Sequence, residues 1–252
     1  MKIVTFNLRG DNEKDGDLRF LYRRDGVVKK IREEAPDVIG FQEMKEHMQP
    51  WMEEQLPEYC FVGHGRAADL TNESVPVAFR KDRYKMHAYE CFWLSPTPQI
   101  PGSKYEGQGY QARTCTAVAL YDVEQQRFFR VLNVHLDNIS AEVRKLSLAQ
   151  AVAYGSAWNA DVKLPFMMMG DFNAQPGDME MVPIMSDPSY TDVTSHIPET
   201  FHNYGTESEK IDYIFVNDQV KCEKSYIWTA EEGSLPLSDH HPVCAECQLI
   251  EG

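Results

Sequence analysis

The chain has 252 residues, of which 42% are hydrophobic and 25% are charged, and its formal net charge is −14 at pH 7. This length and composition favour one globular domain over residues 1–252, and the acidic balance argues against binding nucleic acid through a broad basic face. No apolar stretch reaches the roughly 18 residues that a membrane-spanning helix needs.

The amino terminus shows no targeting segment. Residues 3–6 already follow a strand pattern, without an apolar signal region or a cleavage site of small residues, so we expect a cytoplasmic protein. The six cysteines are dispersed, which favours free thiols over disulfides. Cys244 and Cys247 form one Cys-x-x-Cys pair. The alternating apolar residues around them favour packing in a terminal strand over a zinc site.

Strand-length apolar runs alternate with helical patterns along the chain. A helix capped by Asp25 is predicted to end before Pro36, a second begins at Gln49 and Pro50, and a longer one is capped by Ser140. The predicted strands are residues 2–7, 38–41, 75–80, 114–121, 127–134, 166–169, 211–216 and 241–249. Glycine and proline concentrate in residues 95–109, which predicts an exposed loop. This order favours mixed sheets with helices on the outside.

Five apolar segments, four of them predicted strands and the fifth residues 235–237, run into polar side chains that bind metals or move protons. These side chains are Asn7, Glu43, His135, the pair Asp171 and Asn173, and the pair Asp239 and His240. A rigid scaffold that repeats this pattern presents a binding site at one sheet edge. Each residue alone has a simpler interpretation: a turn residue at Asn7 and at 170–173, a helix start at Glu43, a core histidine at His135. The combination favours a site.

Six short motifs in order along the chain resemble those of the endonuclease/exonuclease/phosphatase superfamily. They are Thr5-Phe6-Asn7, Phe41-Gln42-Glu43, residues 133–137, residues 170–173, residues 211–215 and Ser238-Asp239-His240. The resemblance covers nearly the whole chain. It implies an α/β fold, a four-layer α/β sandwich in which two mixed β-sheets pack face to face with helices on the outside, and a site in a cleft at one end.

The resemblance also implies the roles of site residues. Asn7, Glu43 and Asp239 match the metal ligands, with Glu43 as the principal one. Such oxygen ligands favour Mg²⁺ or Mn²⁺. Three further matches are the catalytic histidine His240, its orienting carboxylate Asp212, and the pair Asp171 and Asn173 that positions the attacking water and the phosphoryl oxygen. Both Asp171 and His240 remain candidates for the general base.

A second group of residues follows from the same resemblance. His135 matches a strand-end histidine that pairs with a glutamate, for which Glu73 stands in the expected place; its simpler interpretation is a loop carboxylate. Arg113 and Arg9 match the position of cleft arginines that grip a phosphate. His202 lies in a segment similar to a cleft loop of the deadenylase-like branch. The next histidine after His240, His241, is interpreted as structural.

The resemblance therefore implies a Mg²⁺- or Mn²⁺-dependent phosphodiesterase that acts on a small or single-stranded nucleotide-type substrate through in-line attack by water. The aromatic and glycine-rich stretch from Phe92 to Tyr110 is a candidate cleft wall, although Tyr89, Phe92 and Trp93 also suit a core. The alternatives are a phosphomonoesterase, a lipid-headgroup phosphodiesterase, and a catalytically inactive binding module. A basic amphipathic helix for a membrane is missing from the sequence, and no protein partner is predicted.

Overall fold

Two mixed sheets of six strands each form the centre of the molecule in a computed structural model, which describes residues 1–250. The strands are β1 (Lys2–Asn7), β2 (Val38–Gln42), β3 (Tyr59–Val62), β4 (Val77–Arg80), β5 (Tyr84–Trp93), β6 (Thr114–Asp122), β7 (Arg127–His135), β8 (Phe166–Asp171), β9 (Thr191–Asp192), β10 (Asp212–Val216), β11 (Val220–Ile227) and β12 (Val243–Leu249). The first sheet has the order β11-β12-β1-β2-β4-β3, and the second has the order β5-β6-β7-β8-β10-β9.

Helices cover the outer faces of both sheets. They are α1 (Phe20–Glu34), α2 (Met48–Gln55), α3 (Ala141–Trp158) and the short α4 (Val182–Met185). One apolar cluster lies between the sheets, with Val38 and Ile3 from the first facing Val131 and Met167 from the second. Two more clusters join α1 and α2 to the first sheet and α3 to the second. These four layers confirm the predicted α/β sandwich.

The local signals for the helices were of uneven quality. Ser140 caps α3 as predicted, because its hydroxyl accepts a hydrogen bond from the Val143 amide. The prediction that Asp25 caps the first helix is wrong. Helix α1 begins at Phe20, and Asp25 lies inside it as an exposed residue. Residues 95–109 form turns and bends, which confirms the predicted loop.

An amide pair connects the two sheets through the apolar interior. Asn133 on β7 donates from Nδ2 to the carbonyl oxygens of Phe41, Val75 and Pro76, at 2.8, 3.1 and 3.0 Å. Its Oδ1 accepts from Nε2 of Gln42 at 2.7 Å. Buried polar groups are tolerated when they are fully hydrogen-bonded, so this contact fixes how the sheets lie against each other.

The cysteines are consistent with a structural role. All six are free thiols, and Cys244 and Cys247 are buried in β12, which confirms packing in the terminal strand. Among residues 1–250, no helix is long and apolar enough to cross a membrane. The cytoplasmic location stays a prediction.

Candidate functional site

The strand register brings the predicted site residues to one end of the sandwich. In the second sheet, His135 on β7 is the parallel partner of Asp171 on β8, and Asp212 on β10 lies opposite Asp171 on its other side. In the first sheet, Asn7 ends β1 beside the end of β2, so that Glu43 follows directly. Side chains more than 200 positions apart in sequence therefore meet at one edge of the sandwich.

Hydrogen bonds connect the two halves of this site. Asn7 donates from Nδ2 to Oδ2 of Asp171 at 2.9 Å and to Oε1 of Glu43 at 3.3 Å. The other Glu43 oxygen accepts from the amide of Gly10 at 3.1 Å. The side-chain amide of Asn7 thus connects the Glu43 carboxylate, which follows β2 of the first sheet, to the Asp171 carboxylate of the second sheet.

Asp171 lies between two histidines. Its Oδ2 is 3.4 Å from Nε2 of His135 and 3.8 Å from Nε2 of His240. Behind His240, Nδ1 of the ring is 2.9 Å from Oδ2 of Asp212, which is buried. This contact fixes the orientation of the ring and leaves Nε2 directed toward Asp171.

The electrostatic environment shifts the pKa values of the two histidines in opposite directions. Burial lowers the pKa of His240, but the carboxylates of Asp212, Asp171 and Asp239 outweigh it and raise the pKa to about 10. For His135, burial and then the guanidinium groups of Arg113 and Arg66 hold the pKa well below its ordinary value. The structure therefore favours a protonated His240 and a neutral His135.

The carboxylates respond to burial in different ways. Burial, followed by the neighbouring Asp212, raises the pKa of Asp171 to about 7. Burial also raises the pKa of Asp239. For Glu43, the effect of burial is outweighed by the Gly10 amide and nearby cations, and the net pKa lies below its ordinary value. The raised pKa values of Asp171 and Asp239 mean that the protein's own cations do not fully compensate the burial of these two carboxylates.

Three non-glycine residues at the site have left-handed backbones. The φ angles are 48° at Arg9, 57° at Glu43 and 48° at Asn173. Each such conformation costs roughly 1–2 kcal/mol outside glycine, with asparagine the most tolerant. Local hydrogen bonds hold the turn at Asn173, since its amide donates to Asp171 Oδ1 at 2.9 Å and its Nδ2 to the Leu136 carbonyl at 3.1 Å.

These groups line one cavity of about 490 Å³, which we call the catalytic cavity. The predicted residues in its wall are Arg9, Glu43, Glu73, Arg113, His135, Asp171, Asn173, Asp239 and His240. Asn7 and Asp212 contact wall residues from behind. The volume lies within the range of about 300–1,000 Å³ that is usual for small-molecule sites.

Two predicted contacts differ in the structure. Glu73 does not pair with His135; its Oε2 lies 2.6 Å from Nη2 of Arg66, and both residues line the cavity. His202 lies outside the cavity wall, where its ring stacks on His241 at 4.3 Å. From there its amide donates to the Asp239 carbonyl at 3.0 Å. The ring beside His240 in the cavity is that of Phe201, at 4.8 Å.

Several wall residues were absent from the sequence prediction. They include Lys45, Arg66 and Gln111. Arg66 lies in the loop after β3, a strand that the sequence pattern did not reveal, so no strand end marked it. Tyr110 belongs to the stretch predicted as a cleft wall, and it is 92% exposed, whereas Phe92 and Trp93 are buried core residues.

Two groups of side chains at the site could hold a metal ion. Asp171, Asp212 and His240 each present a ligand atom, and these atoms lie within 4.8 Å of one another. Glu43, Asp239 and the neighbouring Asn7 form the second set, and Asp239 Oδ2 is 3.6 Å from Nε of Arg9. The raised pKa values of Asp171 and Asp239 fit a divalent cation nearby, because its charge would favour their ionised forms.

Comparisons with known proteins give a family match and structures of the same fold. The model of the Endonuclease/Exonuclease/phosphatase family matches residues 4–240. A crystal structure of an endonuclease/exonuclease/phosphatase from Bacteroides vulgatus is 28% identical, with a TM-score of 0.91 and 98% of both chains covered. The mannosyl-6-phosphatase of Bacteroides thetaiotaomicron VPI-5482 shares the fold at 24% identity, with a TM-score of 0.91, 99% of this chain and 100% of that chain. An uncharacterized protein, L388, of Acanthamoeba polyphaga mimivirus is 25% identical over 182 residues, which are 69% of this chain and 67% of the relative.

Proposed function

Because the chain belongs to the Endonuclease/Exonuclease/phosphatase family and is a phosphoesterase, we propose that it is a divalent-metal-dependent hydrolase of a small phosphate ester. The observation that carries this proposal is the connected row of Asp212, His240, Asp171, Asn7 and Glu43 around one cavity. We also propose that residues 1–252 act as one domain, since both sheets contribute to this row.

For the metal, we propose Mg²⁺ or Mn²⁺ held by Glu43, Asp239 and Asn7. The alternative group around Asp171 is less suitable, because Asp212 is already within hydrogen-bond distance of Nδ1 of His240 and a metal bound there would disrupt that contact. A divalent ion supplies positive charge to the phosphoryl oxygens when it is bound.

The chain's own residues would then handle the protons. We propose that Asp171 accepts the proton of the attacking water, since its Oδ2 is the atom shared by Asn7, His135 and His240. His240 would donate a hydrogen bond from Nε2 to a phosphoryl oxygen while Asp212 orients its ring. Asn173, fixed beside Asp171, would position the water. Hydrogen bonds aimed at developing charge in this way usually provide the largest contribution to catalysis.

A phosphomonoester fits the charges of the cavity best. Its wall contains the cationic side chains of Arg9, Lys45, Arg66 and Arg113. Arg66 and Arg113 are nine-tenths buried. Five carboxylates line the same wall, so the proposed metal is needed to leave an excess of positive charge. A monoester is largely a dianion near neutral pH, so it then gains more from this charge than a singly charged diester does. The mannosyl-6-phosphatase with the same fold is a neighbour of this kind.

The second candidate is the phosphodiester of nucleotide type that the sequence predicts. Tyr110 favours it, because this ring stands almost fully exposed at the cavity wall and aromatic rings stack on bases.

The test is hydrolysis by the purified protein with Mg²⁺, with Mn²⁺ and with EDTA. The substrates are p-nitrophenyl phosphate, bis-p-nitrophenyl phosphate, dinucleotides and sugar phosphates. We expect metal-dependent turnover of the monoesters, which Asp171→Asn and His240→Asn each lower by about 10²–10⁴-fold. Gln125→Ala, on the exposed turn between β6 and β7, is the matched control.

Turnover of bis-p-nitrophenyl phosphate alone would support the diester candidate. Turnover that persists in EDTA, or an Asp171→Asn enzyme as fast as the parent, would overturn the proposed mechanism.

A further inference from the structure

A second depression opens beside the catalytic cavity. It has a volume of about 420 Å³ and shares Lys45, Arg66, Glu73 and Gln111 with the cavity. Its remaining wall residues are Glu46, His47 and Asn72. We call this depression the side pocket. A substrate whose phosphate lies in the catalytic cavity has the side pocket within reach of its leaving group.

Two loops that are bonded to each other build the side pocket. The loop after β2 and the loop before β4 are joined where the amide of Ser74 donates to the Met44 carbonyl at 2.8 Å. Oε1 of Glu46 accepts from the amide of Asn72 at 2.6 Å. These contacts preorganise the pocket, since both walls keep their places without a ligand.

The charges of the side pocket cancel. Lys45 and Arg66 are positive, Glu46 and Glu73 are negative, and Glu73 is paired directly with Arg66 at 2.6 Å. The pocket therefore does not favour a second phosphate, which would need an excess of positive charge. In the catalytic cavity, the proposed metal would supply that charge.

The side chains of the side pocket are all polar or ionisable. Carboxylates accept hydrogen bonds, the ammonium group of Lys45 donates them, and the amides of Asn72 and Gln111 do both. Hydroxyl groups also do both, so a ligand rich in hydroxyls can satisfy every group of this wall. An alkyl chain offers none of these hydrogen bonds, so this wall favours a hydroxylated group over an apolar one.

From this chemistry we propose that the side pocket binds a hydroxyl-rich leaving group, and that the substrate is a sugar phosphate. This proposal rests on the proposed hydrolysis of a phosphomonoester. The oxygen of water forms a new bond to phosphorus while the bond from phosphorus to the sugar oxygen breaks. The sugar oxygen takes up a proton, so the products are the free sugar and inorganic phosphate.

The test compares substrates that differ only in their hydroxyls. Mannose 6-phosphate and glucose 6-phosphate have ring hydroxyls, whereas cyclohexylmethyl phosphate has the same ring size and a primary phosphate without them. Phosphate release gives kcat/KM for each, with Mg²⁺ present. We expect the parent enzyme to favour at least one hexose phosphate over the cyclohexyl ester by about 100-fold or more. Glycerol 3-phosphate distinguishes a short polyol from a sugar ring.

Two variants connect this preference to the pocket. Gln111→Ala removes an amide, and the preference for the hexose phosphate should fall about tenfold. Asn72 has a φ of 75°, so Asn72→Gly removes its side chain without backbone strain and should lower the same ratio. Gln125→Ala should leave the ratio unchanged.

If the cyclohexyl ester is hydrolysed as efficiently as both hexose phosphates, the side pocket does not bind hydroxyls, although the proposed hydrolase activity stands. A better rate with glycerol 3-phosphate than with either hexose phosphate would overturn the assignment to a sugar ring. If no phosphate ester is hydrolysed with Mg²⁺ or Mn²⁺, the proposed function itself fails.

Discussion

Arg23 of helix α1 is predicted to hold together two segments of the site, and its replacement by methionine tests this. The side chain is buried, and its guanidinium group donates to the carbonyl oxygens of Leu8 at 3.0 Å and Arg9 at 2.9 Å. It also donates to the carbonyl oxygens of Leu18 at 2.6 Å and of Leu237. The residues next to these carbonyls include Asn7 and lie close to Asp239, two of the proposed metal ligands.

The size of the effect follows from the carbonyls that lose their donor. The carbonyls of Leu8 and Leu237 are in buried contacts with Arg23. An unsatisfied buried acceptor costs about 1–3 kcal/mol, while methionine recovers part of this because it removes a buried charge. We therefore expect Arg23→Met to lower the free energy of unfolding by about 2–4 kcal/mol. For a chain of this size the melting temperature should fall by roughly 5–15 °C.

Urea unfolding followed by circular dichroism measures the free energy of unfolding. Because Arg23 holds the segments that carry two proposed metal ligands, we also expect Arg23→Met to bind Mg²⁺ about tenfold more weakly, which titration calorimetry measures. Arg32→Met on the same helix is the control. Arg32 is exposed and donates to the Gln55 carbonyl at 2.6 Å in an exposed contact, so we expect a change within about 0.5 kcal/mol. An Arg23→Met protein with the stability and the Mg²⁺ affinity of the parent would refute the reasoning.

Three further predictions concern other parts of the molecule. Asp212→Asn should lower kcat by about 10²–10⁴-fold with little change in KM, because the amide would not stabilise a protonated His240, and steady-state kinetics with p-nitrophenyl phosphate would show it. Gly170→Ala should lower the free energy of unfolding by about 3 kcal/mol in urea titrations. The new Cβ would lie 2.0 Å from the carbonyl oxygen of Val134, and neither atom can move away without a shift of the backbone. Burial, followed by His241 and His240, lowers the pKa of His202 from 6.5 to about 4, so the unfolded chain binds the proton first. The free energy of unfolding should then fall as the pH drops from about 6.5 to about 4, and His202→Gln should reduce this slope; an unchanged slope would contradict the assignment.

The sequence was most informative where a local pattern and the fold impose the same requirement. A strand that runs from the core into a cleft ends in polar residues, and this pattern predicted that Asn7, Glu43, His135 and Asp171 lie at one edge of the sandwich. The Ser140 cap could also be predicted from the sequence, because its hydroxyl accepts a hydrogen bond from an amide only three residues further along the chain.

The predictions failed where contacts between distant parts of the chain determine the local structure. Strand β5 has exposed residues on much of its length, so it lacks the apolar run that reveals a strand. The partner of Glu73 depended on Arg66, whose loop position no local signal marked. Helix α1 begins at Phe20 without a side-chain cap, so no local signal marked its start and the prediction began the helix at Asp25.

The amide of Asn133 has a consequence for how such enzymes diversify. Half of the reactive groups stand on one sheet and half on the other, so sliding one layer by an ångström would pull Asn7 away from Asp171. The hydrogen bonds from the Asn133 side chain to three backbone carbonyls oppose that movement from within the core. The rim loops are thereby free to change in length and sequence while the spacing of the reactive groups is inherited intact.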